Sequence, residues 1–251
     1  MRFSFIIPYY DRAWQFRQAL ESIKETHFPT YEVEIVIIED AKSTPEQNLE
    51  LKKVIFDNNF YFNFRLITMK RVFYNPSLMF NEGVKASRGD YLIITNPEIV
   101  HRVDILGMLN RQFNIKPNAY VICSCVNVLK IDNKQNPVEF GKWYQHSVYR
   151  PLCYHFCSSI SRKLYDQIGG FDERFSNGVG YDDNAFRDRI FSNGIEFIQR
   201  DDLLTYHLPH DRSYTLSREE YVKLTEKNKK LYEQNYGGIW KNGKYRNQKY
   251  N

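Results

Sequence analysis

Long apolar runs are missing from this sequence. No stretch of its 251 residues approaches the roughly 18 to 20 apolar residues needed to cross a bilayer, so a soluble protein is expected. The opening MRFSFIIPYYDR carries one Arg before a short apolar run that ends at Pro8 and the charged pair Asp11-Arg12. It has no small-residue cleavage site, and reads as a first strand and not as a signal peptide. Cysteine is scarce. The four thiols fall as Cys123-Ser-Cys125 and Cys153-x3-Cys157, a spacing that two zinc half-sites could use. Cys123 and Cys125, however, sit in the strand-like run AYVICSCVNVL, where i and i+2 share a face and free thiols pack as small hydrophobes. The reading is reduced thiols in a cytoplasmic protein, with peripheral attachment to a membrane as an alternative. Internal repeats are also lacking.

What is present suffices for one sizeable core, since 42% of residues are hydrophobic and 16% aromatic. The formal charge of +5 is uneven: residues 212–251 hold ten Lys/Arg against four Glu, so the preceding body is close to neutral. The apolar run 3–7 predicts a strand, followed by a helix on which Ala13, Phe16, Ala19, Leu20 and Ile23 recur. Further strands are predicted at 33–38, 64–69 and 91–95, with a helical stretch between the second and third and a short helix at 81–86. Strands alternating with helices indicate a mainly parallel α/β sheet covered on both faces. Ligands bind such sheets at the carboxyl ends of the strands, where Pro8, Asp40 and Glu98 fall. The second half reads as a long strand at 120–129, aromatic-rich loop and strand at 131–157, and helices at 161–168 and 183–192. Ser217-x-x-Glu220 is a capping box that opens a last helix, followed by a basic tail.

Four constellations carry chemistry. A carboxylate at Asp40 can accept from a nucleobase N–H or a ribose hydroxyl, beside the Pro8 to Tyr10 loop that offers a flat surface; a turn or N-cap role is the alternative. Asn96-Pro97-Glu98 offers an acidic ligand for a divalent ion, or else a type I turn. In IGGFDERFSNGVGYDDNAFRDRI, glycines deliver Asp182-Asp183 to the first turn of a helix, where one carboxylate can cap and the other act as general base. In TYHLPHDRS, His207 and His210 can supply a metal ligand or a phosphate partner. Their spacing does not match a metalloprotease helix.

The order of these pieces resembles the family 2 glycosyltransferases with the GT-A fold over roughly residues 3–210. FSFIIPYYDRAWQFRQALESI is similar to the family's opening strand and helix, and IVIIEDAKS to its nucleotide-binding strand end. FNEGVKASRGDYLIITNPE is similar to its Asn-x-Gly helix, Gly-Asp turn and acidic metal motif, and IGGFDERF with GYDDNAFRDR to its acceptor-side signature. The resemblance implies a GT-A catalytic domain at 1–211, with a nucleotide-sugar half (1–100) and a mixed-sheet acceptor half (101–211), then a C-terminal helix and basic tail. It implies nucleotide contacts at Pro8, Tyr10, Asp40 and Asn81, and Mn²⁺ or Mg²⁺ on Glu98 with His207, preferred to His210 as nearer its strand end. Asp183 is the implied base; Asp182 is assigned to the acceptor, and Trp143, Tyr144 and the loop 177–181 are read as its surroundings because flat aromatic faces stack on sugar rings, with core packing an equal alternative for Trp143. Departures are Asn96 in place of the first Asp of the metal motif, and Ala41-Lys42-Ser43 where Gly-Ser usually follows strand 2. The Gln-x-x-Arg-Trp motif of processive members is also missing.

The implied activity is inverting, non-processive transfer of a sugar from a nucleotide sugar, read as UDP-linked, to a glycan or other hydroxyl acceptor, as in polysaccharide biosynthesis. Two other classes compete: a non-catalytic sugar or nucleotide-binding module, and a nucleic-acid binder, including a DNA-modifying glycosyltransferase. The latter rests on the basic, Tyr-rich tail, which could equally contact anionic lipid.

Overall fold

The computed structural model describes residues 1–27, 30–70, 74–133, 136–143, 146–211, 216–237, 240–241 and 244–245. The predicted alternation is realised in its first hundred residues: β1 (Phe3–Tyr9), α1 (Ala13–His27), β2 (Val33–Glu39), α2 (Pro45–Asn58), β3 (Asn63–Thr68), α3 (Ser77–Ala86) and β4 (Tyr91–Ile94). These strands run parallel in the order β3-β2-β1-β4. Apart from Ser4, Glu34 and Glu39, β1 and β2 are apolar because both faces are covered. Phe3, Phe5, Ile7, Ile35 and Ile37 pack with α1 and α2, while Ile6, Val36 and Ile38 pack with α3 on the other side. α3 approaches so closely that a Cβ on Gly83 would lie 2.5 Å from Ile38 Cδ1 and 2.6 Å from Ile6 Cγ2.

One boundary differs from expectation. β1 continues through Pro8, which pairs with Ile38, to Tyr9. β4 reaches only Ile94, opposite Ile6, so beyond that point one side of β1 is an open edge where a missing N–H breaks no ladder.

The sheet continues with β5 (Ile99–His101), α4 (Ile105–Ile115), β6 (Ala119–Ile131), β7 (Pro137–Trp143), β8 (His146–Ser147), β9 (Arg150–Pro151), β10 (Ser158–Ser161), α5 (Arg162–Ile168), α6 (Asp182–Ser192) and β11 (Glu196–His207). Its order beyond β4 is β10-β6-β11-β5, with β7 on β6. β10 runs antiparallel to β4 and β6, which makes this half mixed. β10 escaped the sequence reading because three of its four residues are Ser. Ser158 and Ser159 are buried yet satisfied: Ser159 Oγ donates to Leu92 O at 2.9 Å, and Ser158 Oγ accepts from Tyr120 Oη at 2.8 Å.

The last helix, α7 (Arg218–Tyr236), opens on the predicted capping box at Ser217 and Glu220. It docks on the second half. Buried Asn228 donates to Phe175 O and Gly180 O, and Tyr232 Oη donates to Asp188 Oδ2 at 2.6 Å. β12 (Trp240–Lys241) and β13 (Lys244–Tyr245) pair antiparallel after it. No helix among the described residues is long and apolar enough to cross a membrane.

A buried chain of imidazoles ties α1 to β5 and α4. His27 Nε2 lies 3.1 Å from His101 Nδ1, and His27 Nδ1 lies 3.1 Å from Asp104 Oδ1. Burial pulls the His27 imidazole down to about 4 against the opposing attraction of Asp104, so the folded protein holds it neutral. The unfolded chain takes up that proton below pH 6.5. Stability from this site is therefore complete above pH 6.5 and is lost as pH falls towards 4. In urea unfolding, the stability difference between parent and His27→Gln is expected to shrink by about 3 kcal/mol from pH 7 to pH 4. A gap independent of pH would contradict this.

Candidate active site

The carboxyl ends of β1, β2 and β4 border a cavity of ≈ 250 Å³ lined by Pro8, Tyr10, Asp40, Asn96, Glu98 and His210 among others. Asp40 leaves β2 with its N–H donating to Tyr9 O at 2.9 Å, and its Oδ1 accepts from Lys42 N at 3.1 Å. Its turn role and its place in the cavity therefore coexist. Lys42, which stands where the sequence departs from its relatives, does not point to open solvent. Its Nζ sits 4.1 Å from the centre of the Tyr10 ring and 3.9 Å from Asp40 Oδ2. Tyr74, Asn75, Pro76 and Met79 form the opposite wall, which carries no motif in the sequence.

At one end of the cavity the structure assembles an acid and two imidazoles. Glu98 Oε1 lies 3.7 Å from His207 Nε2 and 3.4 Å from His210 Nε2, and the two Nε2 atoms are 3.2 Å apart. His207, preferred to His210 from the sequence, is joined by it here, since both imidazoles lie beside the same carboxylate. His207 Nδ1, 3.0 Å from Asn127 Oδ1, donates to that amide oxygen and leaves Nε2 facing Glu98. Asn96, in place of the first acid of the motif, donates from Nδ2 to Glu98 Oε1 at 3.2 Å. Burial pushes the Glu98 carboxyl up, but the hydrogen bonds and charges of the two histidines outweigh it and hold the group below the usual carboxylate range. Ligand atoms from the three side chains lie within 4.8 Å of one another, the only such cluster among the described residues. One carboxylate and two oriented imidazoles fit a divalent transition ion. The four cysteines are free and buried, as read from the sequence.

Two residues the sequence reading passed over hold this end in place. Arg12 follows Asp11, whose φ of 46° bends the chain, and is itself buried. It donates to the carbonyls of Asp11 and Asp211, and its Nη2 lies 2.9 Å from His210 Nδ1. Gln15 Nε2 donates to Pro209 O at 3.1 Å. An Arg and a Gln in the first turns of a helix carry no signal of this role without the fold.

The Gly-rich run forms the second cluster. Gly170 adopts φ 63°, and the chain then turns so that Phe171 stacks on Phe186 of α6 with ring centres 3.9 Å apart. Arg189 donates to the carbonyls of Gly169 and Gly170. The spacing of GGF, Phe186 and Arg189 is thereby explained: together they fix where α6 begins. Asn81 belongs to this scaffold. Its Oδ1 accepts from Tyr165 Oη and Phe171 N, and its Nδ2 donates to Phe171 O and Glu173 Oε1. The side-chain amide of Asn81, expected as a nucleotide contact, has its donors and acceptor engaged in bracing this turn.

Asp182 and Asp183 stand in the first turn of α6. Asp182 is 6% exposed, and burial, then the charge of Asp183, pushes it up to about 7 against His155 and nearby backbone N–H groups. Asp183 is more open, and its Oδ1 lies 2.6 Å from Nδ1 of His155. No motif pointed to His155. It sits in the aromatic stretch before β10, and only the fold brings it to α6.

The two clusters share one edge of the sheet. Ser158 pairs with Ile94, so His155, just before β10, and Glu98, just after β4, leave at the same end. α3 joins them as well, because Met79 lines the cavity while the ring of Phe80 meets that of His155 at 4.8 Å. Trp143 lies elsewhere, in a shallow depression with Lys142, Tyr149 and Arg150, and its carbonyl accepts from Arg150 Nη1 at 2.9 Å. Tyr144 lies outside the described residues. So does most of the basic tail.

Residues 4–172, more than half of the chain, match the profile of glycosyl transferase family 2. The chain belongs to that family. No curated protein matches the sequence. Among solved structures, S. aureus TarS 1–349 in complex with UDP-GlcNAc is similar, with a TM-score of 0.70 at 15% identity over 89% of this chain and 64% of that one. The mannosyltransferase PcManGT from Pyrobaculum calidifontis, in complex with GDP-Man and Mn²⁺, is similar at TM-score 0.62 and 16% identity over 85% of this chain and 58% of that one. The chain therefore spans less than two thirds of either structure. What the likeness establishes is the GT-A fold, with the parallel half and mixed half described above.

Proposed function

We propose that this family 2 chain is an inverting, non-processive glycosyltransferase that uses a UDP-sugar donor and a hydroxyl acceptor. The observation that carries the reading is convergence. Asp40 with Pro8 and Tyr10, Glu98 with its two histidines, and Asp183 with His155 come from distant segments, and Glu98 and His155 leave the same end of the sheet. Both relatives named above hold a nucleotide sugar, and one holds Mn²⁺.

In this reading Asp40 accepts from the base or ribose and Tyr10 covers it, with Lys42 braced between the two. Glu98, His207 and His210 hold the divalent ion. Imidazole nitrogen suits Mn²⁺ better than Mg²⁺, which prefers an all-oxygen shell. Such an ion offsets charge on the departing nucleoside diphosphate. Asp183 takes the proton of the acceptor hydroxyl as its oxygen attacks the anomeric carbon, and the bond from that carbon to the phosphate oxygen breaks on the opposite face. One displacement inverts the centre. Trp143 and Asp182 remain acceptor-side assignments within this proposal. So does a cytoplasmic setting, with a glycan acceptor of the kind used in polysaccharide biosynthesis.

Thermal shift with a panel of UDP- and GDP-sugars, with and without Mn²⁺, tests the reading directly. A donor at about 100 times its Kd stabilises by about 2.7 kcal/mol, which raises Tm by several degrees in a chain of this size. The rise should require Mn²⁺ and be largest for a UDP-sugar, and a transfer assay should show product of inverted configuration. No shift with any nucleotide sugar would remove the proposal.

A further inference from the structure

His155 is a buried histidine with an unusual neighbourhood. It is 3% exposed, and its ring is enclosed by Phe80, Phe156, Phe171 and Phe186 with ring centres between 4.8 and 6.3 Å away. In that apolar cage its Nδ1 lies 2.6 Å from Asp183 Oδ1, an ion-pair contact whose angle falls short of a hydrogen bond, and neither atom has a hydrogen-bond partner among the described residues. A charge so placed persists only if it is paired. The carboxylate of Asp182, one residue away and more deeply buried, completes a group of two acids and one base.

Asp182 is buried and Asp183 partly open, and burial together with the charge of Asp183 pushes Asp182 up. A carboxylate that is to act as a base must be held and aimed. We propose that His155, as imidazolium, is the positioning residue that selects Asp183: its ring, fixed in the cage of phenylalanines, pairs with that carboxylate and aims it at the acceptor. The inference rests on Asp183 being the base. The electrostatics agree with the geometry. Burial works against charge on the imidazole, but the attraction of Asp183 and Asp182 outweighs it, so His155 moves up while Asp182 moves up beside it.

The other groups near the cluster do not supply the same selection. Arg187, one turn along α6, pairs with Asp188 at 2.9 Å and lies over the Tyr154 ring. Tyr154 Oη accepts from Asn184, Tyr120 Oη is turned to Ser158, and burial keeps the Cys153 thiol neutral at about 12. His155 is the residue whose ion pair with Asp183 is seen among the described residues.

The test is the pH profile of kcat/KM for parent and His155→Gln, with Asp183→Asn alongside. Removing the imidazolium should move the acid limb of the profile upward by about 1 to 2 pH units, while the Kd for the nucleotide is unchanged. A merely structural role would lower turnover at every pH and leave the limb where it is, and that result overturns the proposal. The titration of His155 followed by NMR needs no His155 variant to fold. Its midpoint should fall by about 1 unit or more in Asp183→Asn, and an unmoved midpoint also overturns the pairing. Parental turnover by Asp183→Asn would instead refute Asp183 as the base. Loss of turnover in that variant, together with an unmoved limb in His155→Gln, would refute the role of His155 alone.

Discussion

Asp183→Asn is expected to lower kcat by roughly 10²- to 10⁴-fold, the span typical of a lost general base. The substitution keeps the size of the side chain and its place in the first turn of α6, but an amide cannot take the acceptor proton. Donor binding should survive, because Asp183 does not line the cavity that holds Asp40 and Glu98. The Kd for UDP and the thermal shift with donor therefore remain at parental values while turnover collapses. Asp182→Asn makes a useful contrast. Asp182 is buried, and burial with the charge of Asp183 pushes its carboxyl up, which disfavours the ionised form a base needs. Its loss should cost far less than that of Asp183. Equal losses in the two variants would mean that the pair acts as a unit, and parental turnover in Asp183→Asn would end the assignment of the base.

The second large effect is expected at the acid and imidazole cluster. Glu98→Ala removes the one carboxylate shared by His207 and His210, and with it the oxygen ligand of the set. Mn²⁺ binding, read by electron paramagnetic resonance or calorimetry, should be lost. An ion that contributes several kcal/mol to the barrier implies a fall in turnover of at least about 10²-fold. His207→Ala and His210→Ala should each weaken Mn²⁺, since both imidazoles reach Glu98. Asn127→Ala should weaken it by about 10- to 100-fold without touching a ligand, because Asn127 fixes the orientation of His207. Unchanged Mn²⁺ affinity in Glu98→Ala would show that this cluster is not the metal site.

Both sets of variants depend on groups that were legible to different degrees. Asp40, Glu98 and Asp183 could be picked out because each follows a recognisable local pattern: an apolar run ending in acid, a strand ending in Asn-Pro-Glu, and a Gly-rich turn into a helix. Each pattern fits a turn or a helix cap equally well in one dimension, and it is the order of the pieces, through the resemblance to the family, that singles the three acids out. Asn81 shows the limit of local patterns. An Asn in a helix facing a Gly-rich segment reads equally well as a ligand contact or a brace, and the four hydrogen bonds to residues 165–173 that engage its amide are seen only in the fold. The place of His210 beside the same carboxylate as His207 was likewise not revealed by spacing.

The sequence by itself determined the parallel half of the sheet, its covered faces, the ends of strands at which chemistry is placed, and the capped helix after Ser217. These follow from periodicity and caps, which act over a few residues. Only the tertiary structure decided which side chains meet. His155 reaches Asp183 because β10 runs antiparallel beside β4 and carries the preceding loop to the edge where Glu98 also lies. Arg12 reaches His210 across nearly the whole chain because β11 returns beside β6, antiparallel to β5. Contacts of this kind are set by strand pairing and burial, whose energy depends on the closed sheet and not on any short run of residues.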